Sequence, residues 1–156
     1  MKNFLIPFFL VLFFTTGCGY KVIDRSKFGN FGIAEMNTSG ETRINYKIKN
    51  KLFFNTDKNN NNLIILDLES KKTKKIEEKN DKNEITKYRL FIKVDVSFKK
   101  ITDTETSSFI VKKTGIYNVG NRYSQTLSNE KKLTEILTND VVDEIFDELS
   151  IKLNDI

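Results

Sequence analysis

The sequence predicts an α+β fold, a two-layer sandwich in which one sheet of about four strands, mostly antiparallel or mixed in direction, carries two helices on one face. Three observations lead to this prediction. Apolar residues alternate with polar ones over one long segment, they recur every three or four residues in two others, and the elements follow the order βαβββα. The length of 156 residues suits one small domain.

The first two elements are predicted to be a short strand and a helix. The strand covers residues 31–37, and the segment that follows to residue 54 has helical spacing, because Ile44, Ile48 and Leu52 lie four residues apart. Residues 38–41, with the sequence Thr-Ser-Gly-Glu, provide a hydroxyl cap and an acid for the first turn. We therefore expect the helix to begin there.

The second strand is predicted at residues 63–68, an apolar run too short for a helix. Residues 71–83 are polar, and they include six lysines and three acids. Two interpretations remain open for this segment. It is either a flexible loop that attracts the phosphates of a ligand, or a solvated connection between strands with no binding role.

A long antiparallel hairpin gives the clearest signal. Six apolar residues occupy alternate positions in its first strand: Tyr88, Leu90, Ile92, Val94, Val96 and Phe98. A polar turn at residues 102–105 leads to a second strand at residues 109–119. The apolar residues of that strand lie on both parities around Gly115, which predicts a β-bulge there.

The last element is predicted to be an amphipathic helix from about residue 128 to residue 153. Its apolar face comprises Leu137, Val141, Val142, Ile145, Phe146, Leu149 and Leu153. Three aspartates oppose it: Asp140, Asp143 and Asp147. Their spacing alone is compatible with a cation, but no second element supplies ligands, so we interpret them as a solvated face and predict no metal site.

The N-terminus is predicted to be a signal peptide, residues 1–17, that ends before Cys18, the only cysteine. Its apolar run of eleven residues would rise about 16 Å as a helix, short of a hydrocarbon core of about 30 Å. Gly17 followed by Cys18 resembles a bacterial lipobox, although Thr15 stands where leucine is usual. We expect lipidation of Cys18, a tether over residues 18–30 and a single domain over residues 31–156. An uncleaved anchor or a secreted chain with a spare thiol explains the position of this cysteine poorly.

The composition argues against most catalytic classes. The chain has no histidine and one cysteine, which excludes Ser-His-Asp and Cys-His nucleophiles, histidine-ligated metals and an internal disulfide. Carboxylates, hydroxyls and lysines remain, but we predict that the protein is not an enzyme. The formal charge is +5, yet the secretion signal and the lack of a recognition motif argue against nucleic-acid binding.

Several short motifs carry a resemblance over essentially the whole chain. They are Cys18-Gly19-Tyr20, Tyr88-Arg89-Leu90, Ile116-Tyr117-Asn118-Val119 and Arg122-Tyr123-Ser124. In this order, and with this succession of elements, the chain resembles the LPS-assembly lipoprotein LptE family in its divergent alphaproteobacterial form. It departs from that family at Thr15, in the lysine- and asparagine-rich loops, and at Ser124, where relatives often carry alanine.

The resemblance implies a lipoprotein anchored on the periplasmic side of the outer membrane, and Gly19 in place of aspartate after the cysteine agrees with that location. Such a protein plugs the LptD β-barrel, helps it to assemble, and interacts with lipopolysaccharide on its way to the outer leaflet. It needs no cofactor besides the covalent lipid. By neighbourhood, the resemblance suggests Lys79, Lys82 and Arg122 for lipopolysaccharide. Tyr117, Asn118 and Tyr123 are the candidates for contact with the barrel.

Two other functions remain open from the sequence. The chain is alternatively the outer-membrane lipoprotein partner of another lipid-transport ABC system or of a secretin. A lipoprotein hydrolase that uses Asp/Glu or Ser/Lys chemistry is the remaining alternative.

Overall fold

Within the described residues, six elements form in the order that the sequence predicts, βαβββα. The computed structural model describes residues 31–56 and 62–154; the predicted signal peptide and tether lie outside these ranges. The elements are β1 (Gly32–Gly40), α1 (Thr42–Asn55), β2 (Leu63–Lys79), β3 (Ile85–Lys100), β4 (Ser107–Asn118) and α2 (Tyr123–Asn154). The strands lie in the sheet in chain order, with β1 parallel to β2 and the other pairs antiparallel. The predicted α+β fold with a mixed four-stranded sheet is confirmed.

The core forms between one face of the sheet and the two helices. Alternate residues of β3, from Leu90 to Val96, are at most 1% exposed, because their side chains all point to that face. The predicted apolar residues of α2 are all buried against it, and Ile44, Ile48 and Leu52 bring α1 to the same side. Burial of this apolar surface is the main term that favours the folded state.

The other side of the sheet is covered by no element of the described residues, and we call it the open face. Its middle carries the side chains of Lys71 and Thr73 from β2, Phe91 and Lys93 from β3, and Lys112 and Thr114 from β4. These positions alternate with the core positions, as expected for a sheet with one solvated side.

The lysine-rich segment belongs to a strand, so the predicted loop at residues 71–83 is wrong. β2 pairs with β3 without interruption to Ile76↔Tyr88 and, past two register shifts, to Lys79↔Ile85, so that only residues 80–84 form the turn. β3 therefore extends far enough to pair with most of the segment, and long lysine side chains tolerate either face of a strand. Backbone pairing therefore overrides the polar composition.

The β-bulge predicted at Gly115 is also absent. The β3–β4 register is uninterrupted from Lys87↔Asn118 to Phe98↔Ser107. A Cβ at Gly115 would lie 2.7 Å from Leu133 Cδ1, so this glycine makes room for α2 on the sheet. Ile110 and Ile116, on the other parity, are half exposed on the open face.

Both helices begin at residues other than those predicted. Thr38 and Ser39 lie in β1, and Glu41, which precedes α1, makes no capping bond with its side chain. The backbone N–H of Glu41 instead donates to Ser70 O at 3.2 Å and to Ser70 Oγ at 3.1 Å, which ties the start of α1 to β2. α2 begins at Tyr123, earlier than predicted. Its first turn is mostly exposed and therefore lacks the apolar periodicity from which the start of the helix was predicted.

Gly40 is the residue that this connection requires, and Gly40→Ala should destabilise the fold. Its φ is +91°, and an added Cβ would lie 1.9 Å from Ser70 O. The positive φ alone costs an alanine about 1–2 kcal/mol, and the backbone clash adds to it. Unfolding in urea measures the loss.

Gly115→Ala is the matched control, because its added Cβ meets the movable end of the Leu133 side chain rather than backbone. We expect a smaller loss for this variant. Equal losses for the two variants would contradict the role given to Gly40.

Candidate functional site

A polar cluster lies beyond the end of the apolar core, between α2 and the sheet. The Glu130 carboxylate accepts hydrogen bonds from Lys72 Nζ and Lys74 Nζ, both at 3.1 Å, and from the Tyr117 hydroxyl at 2.9 Å. The Glu130 side chain is only 16% exposed. We call these four residues the Glu130 cluster; it joins β2, β4 and α2.

The protonation states in this cluster favour ion pairing over proton transfer. Burial raises the pKa of Glu130, but hydrogen bonds from Lys74, Tyr117 and Lys72 outweigh burial and leave that pKa below its ordinary value. The pKa of Tyr117 is raised mainly by burial, and then by the hydrogen bond to Glu130 and by the negative charge of Glu130. At neutral pH the carboxylate is therefore ionised and the phenol stays a donor. Neither group has a pKa near neutrality, where a general acid or base works best.

Aromatic contacts support the cluster from the sheet side. The rings of Tyr88 and Tyr117 stack with their centroids 5.7 Å apart. Lys74 Nζ lies 5.0 Å from the centroid of the Tyr88 ring, a cation–π distance. Lys74 is therefore held both by an anion and by an aromatic face.

Two ion pairs neutralise cations near the β2–β3 turn. Arg89 donates to both carboxylate oxygens of Glu77, at 2.6 and 2.5 Å, and Lys87 Nζ donates to Glu78 at 2.6 Å. The hydrogen bonds from Arg89 and Lys87 lower the pKa of Glu77 and Glu78 respectively. These four side chains thus satisfy one another across the hairpin.

The three residues suggested for lipopolysaccharide lie at one end of the sheet. Lys79 ends β2 and its Nζ donates to Asn83 Oδ1 at 2.9 Å, and Lys82 is exposed in the turn that follows. Arg122 is exposed just before α2. Val119 N donates to Thr86 O, which places the β4–α2 junction beside the start of β3. Their binding role stays a prediction.

The three residues suggested for contact with the barrel differ in accessibility. Tyr117 is 6% exposed and belongs to the Glu130 cluster, so the fold itself uses its side chain. Asn118 is exposed, and its carbonyl accepts a hydrogen bond from Asn129 Nδ2 at 2.9 Å. Tyr123 is 79% exposed and leaves its ring available. Cys18 lies outside the described residues.

The strand register divides the lysines of β2 between two environments. Lys72 and Lys74 point to the helix side and contact Glu130, whereas Lys71 and Lys75 lie on the open face. Lys71 stands opposite Lys93 of β3, which stands opposite Lys112 of β4. Sequence reasoning missed this row, because the pairing register that aligns it cannot be read from any single strand.

Over residues 31–56 and 62–154, no three His, Cys, Asp or Glu side chains are placed to hold a metal ion. No helix within those ranges is both long enough and apolar enough to cross a membrane.

Comparisons with solved structures identify the fold. The chain is similar to rare lipoprotein B from Shewanella oneidensis, with a TM-score of 0.52 and 13% identity over 78% of this chain and 94% of that one. It is also similar to lipoprotein B from Nitrosomonas europaea, with a TM-score of 0.56 and 15% identity over 78% of this chain and 85% of that one. These two bacterial lipoproteins and this chain share a fold.

The comparisons of sequence give no match. No family model and no curated protein matches the chain. The shared fold is therefore the finding that connects the chain to known proteins.

The Glu130 cluster predicts a pH-dependent loss of stability. Because the folded pKa of Glu130 is lowered, its contribution is present above the ordinary pKa of 4.5 and is lost as the pH falls through the folded pKa. Glu130→Gln should cost about 1–3 kcal/mol at pH 7, since a charged acceptor of three hydrogen bonds is lost. Urea unfolding of wild type and variant from pH 7 to pH 3 should show this difference shrinking below about pH 4.5.

The control is Glu135→Gln, which removes a carboxylate that is 56% exposed and paired with Lys47 on the same helix layer. Its effect should stay within about 0.5 kcal/mol. A Glu130→Gln loss that does not change with pH would contradict the assigned ionisation.

Proposed function

We propose that this chain is an outer-membrane lipoprotein and the non-enzymatic lipoprotein subunit of a lipopolysaccharide translocon. In this role it plugs an LptD-type β-barrel, helps the barrel to assemble, and interacts with lipopolysaccharide during its insertion into the outer leaflet. The observation that carries the proposal is the fold shared with two bacterial lipoproteins over 94% and 85% of their own lengths. The predicted signal peptide before Cys18 independently supports the lipoprotein part of the proposal.

The dimensions of the domain suit a plug. β2 has 17 residues and, at about 3.3 Å per residue, extends roughly 55 Å. α2 has 32 residues and extends about 48 Å. The apolar band of an outer-membrane barrel is only about 25 Å tall, so a body of this length reaches from one end of a barrel to the other.

The surface of the domain suits a polar lumen. One face of the sheet is open, and it presents lysine, threonine and acidic side chains to the surroundings. Barrel interiors are polar, whereas the lipid-facing side is apolar. A domain with a charged open face therefore fits inside a barrel better than against acyl chains.

Co-purification tests the proposed partner. Full-length protein with a C-terminal tag, extracted from its own envelope in detergent, should recover a large β-barrel protein in about equal amount. The matched control is the tagged Cys18→Ser variant, which lacks the acylated thiol and should recover less barrel. Recovery of ABC-transporter or secretin components, or of no membrane protein, would contradict the translocon proposal.

Lipidation is tested separately at the only cysteine. Cys18→Ala should abolish incorporation of labelled palmitate and leave the precursor uncleaved, because the thiol is the acceptor of the lipid. Thr16→Ala, two residues away, should still be labelled. Palmitate label in the Cys18→Ala variant would contradict the anchor.

A further inference from the structure

Three lysines form a row across the open face, perpendicular to the strands. Lys71 of β2 pairs with Lys93 of β3, and Lys93 pairs with Lys112 of β4. Residues that pair across strands have Cβ atoms about 4.5–5.5 Å apart on the same face. Because neighbouring strands lie about 4.8 Å apart, the row places three ammonium groups within reach of one small anion.

Repulsion among the three lysines of the row destabilises the folded state of the free protein. Like charges directly opposite one another on a sheet destabilise it. Lys93 has one partner, Asp95 at 2.7 Å. Lys71 and Lys112 are exposed and form no ion pair with any residue in the described ranges.

Some cations elsewhere in β2 and β3 have ion-pair partners. On the helix side Lys72 and Lys74 share Glu130, and farther along the hairpin Arg89 is matched with Glu77. What distinguishes the row is that three lysines stand side by side, two of them without an ion pair in the described ranges. Such an alignment of like charges is expected where a sequence serves a ligand rather than the fold.

Apolar side chains flank the row. Phe91 lies in the next pairing row, between Thr73 and Thr114, and Lys75 Nζ stands 5.7 Å from its ring centroid. On β4, Ile110 lies next to Lys112 in the pairing row that also holds Glu69 and Asp95, and Ile116 lies beyond Thr114; the two isoleucines are 53% and 45% exposed. The surface around the three lysines therefore combines two acidic side chains on one flank with apolar contact area.

We propose that Lys71, Lys93 and Lys112 bind a phosphate group of an acidic glycolipid, with Phe91, Ile110 and Ile116 against its apolar part. A phosphate monoester carries about −1.5 to −2 charges at pH 7 and three acceptor oxygens, which matches three lysines on neighbouring strands. A carboxylate of an acidic protein carries one charge and matches them less well. This inference rests on the proposed function, and it places the phosphate site on the open face instead of at Lys79, Lys82 and Arg122.

The test compares variants that remove the same number of charges. Lys71→Gln with Lys112→Gln should weaken binding of detergent-dispersed lipopolysaccharide at least about tenfold at low salt, because two of three charged donors are lost. The control pair, Lys51→Gln with Lys132→Gln, changes two exposed helical lysines and should shift the affinity less than twofold. Dephosphorylated lipopolysaccharide should bind wild type and the row variant equally.

Thermal unfolding separates a binding role from a structural one. Removing repulsion from the row should leave the Tm of the free variant unchanged or higher, whereas loss of a structural contact would lower it. A lowered Tm, or equal losses of affinity for phosphorylated and dephosphorylated glycolipid, would overturn the inference.

The remaining outcomes distinguish this inference from the proposed function. If charge reversal at Lys79, Lys82 and Arg122 weakens binding while the row variant binds like wild type, the row is not the site and the translocon proposal stands. If wild type fails to bind lipopolysaccharide at all, both are wrong.

Discussion

The pairing of β2 with β3 decides which side of the molecule almost every strand residue faces. The period of a strand is two, so a slip of one residue would move Leu90, Ile92, Val94 and Val96 from the core to the open face. The same register sends Lys72 and Lys74 to the helix side and Lys71 to the open face. The core and the charged surfaces are therefore two results of one alignment.

Glu130 neutralises two lysines that the long β2–β3 hairpin directs toward α2. β1 ends opposite Ser70, and beyond that point β2 continues with polar residues, where two lysines point toward α2. Two partly exposed lysines close together repel each other, and the largely buried Glu130 carboxylate provides their counter-charge while it also accepts a hydrogen bond from Tyr117. Clusters of this kind add specificity of packing more reliably than net stability. Here the cluster sets where the first half of α2 rests on the sheet.

The two faces of the sheet have different roles in the function that we propose. The helix side holds the domain together through apolar packing and the Glu130 cluster. The open face and the exposed ends carry the charges that remain for other molecules. A plug requires a rigid body of the right length, and a glycolipid requires a charged surface beside an apolar one. The fold supplies both.

The order and type of the elements follow from local patterns in the sequence. Alternation along β3 and helical spacing in α1 and α2 depend only on neighbouring residues, so these elements and their buried faces were predictable. Local patterns do not predict three other features: the length of β2, the close contact at Gly115 and the Glu130 cluster. Each depends on what a distant segment offers: a backbone partner from β3, the Leu133 side chain of α2, and lysines 56 and 58 residues before Glu130.

The candidate binding surface likewise could not be predicted from local sequence patterns. The sequence alone determined that lysines are abundant, and its N-terminal pattern predicts a signal peptide before Cys18. Only the tertiary structure decided that Lys71, Lys93 and Lys112 stand side by side, because lateral register is a property of three strands together. Composition sets how much charge a chain carries, whereas strand pairing sets where that charge is concentrated.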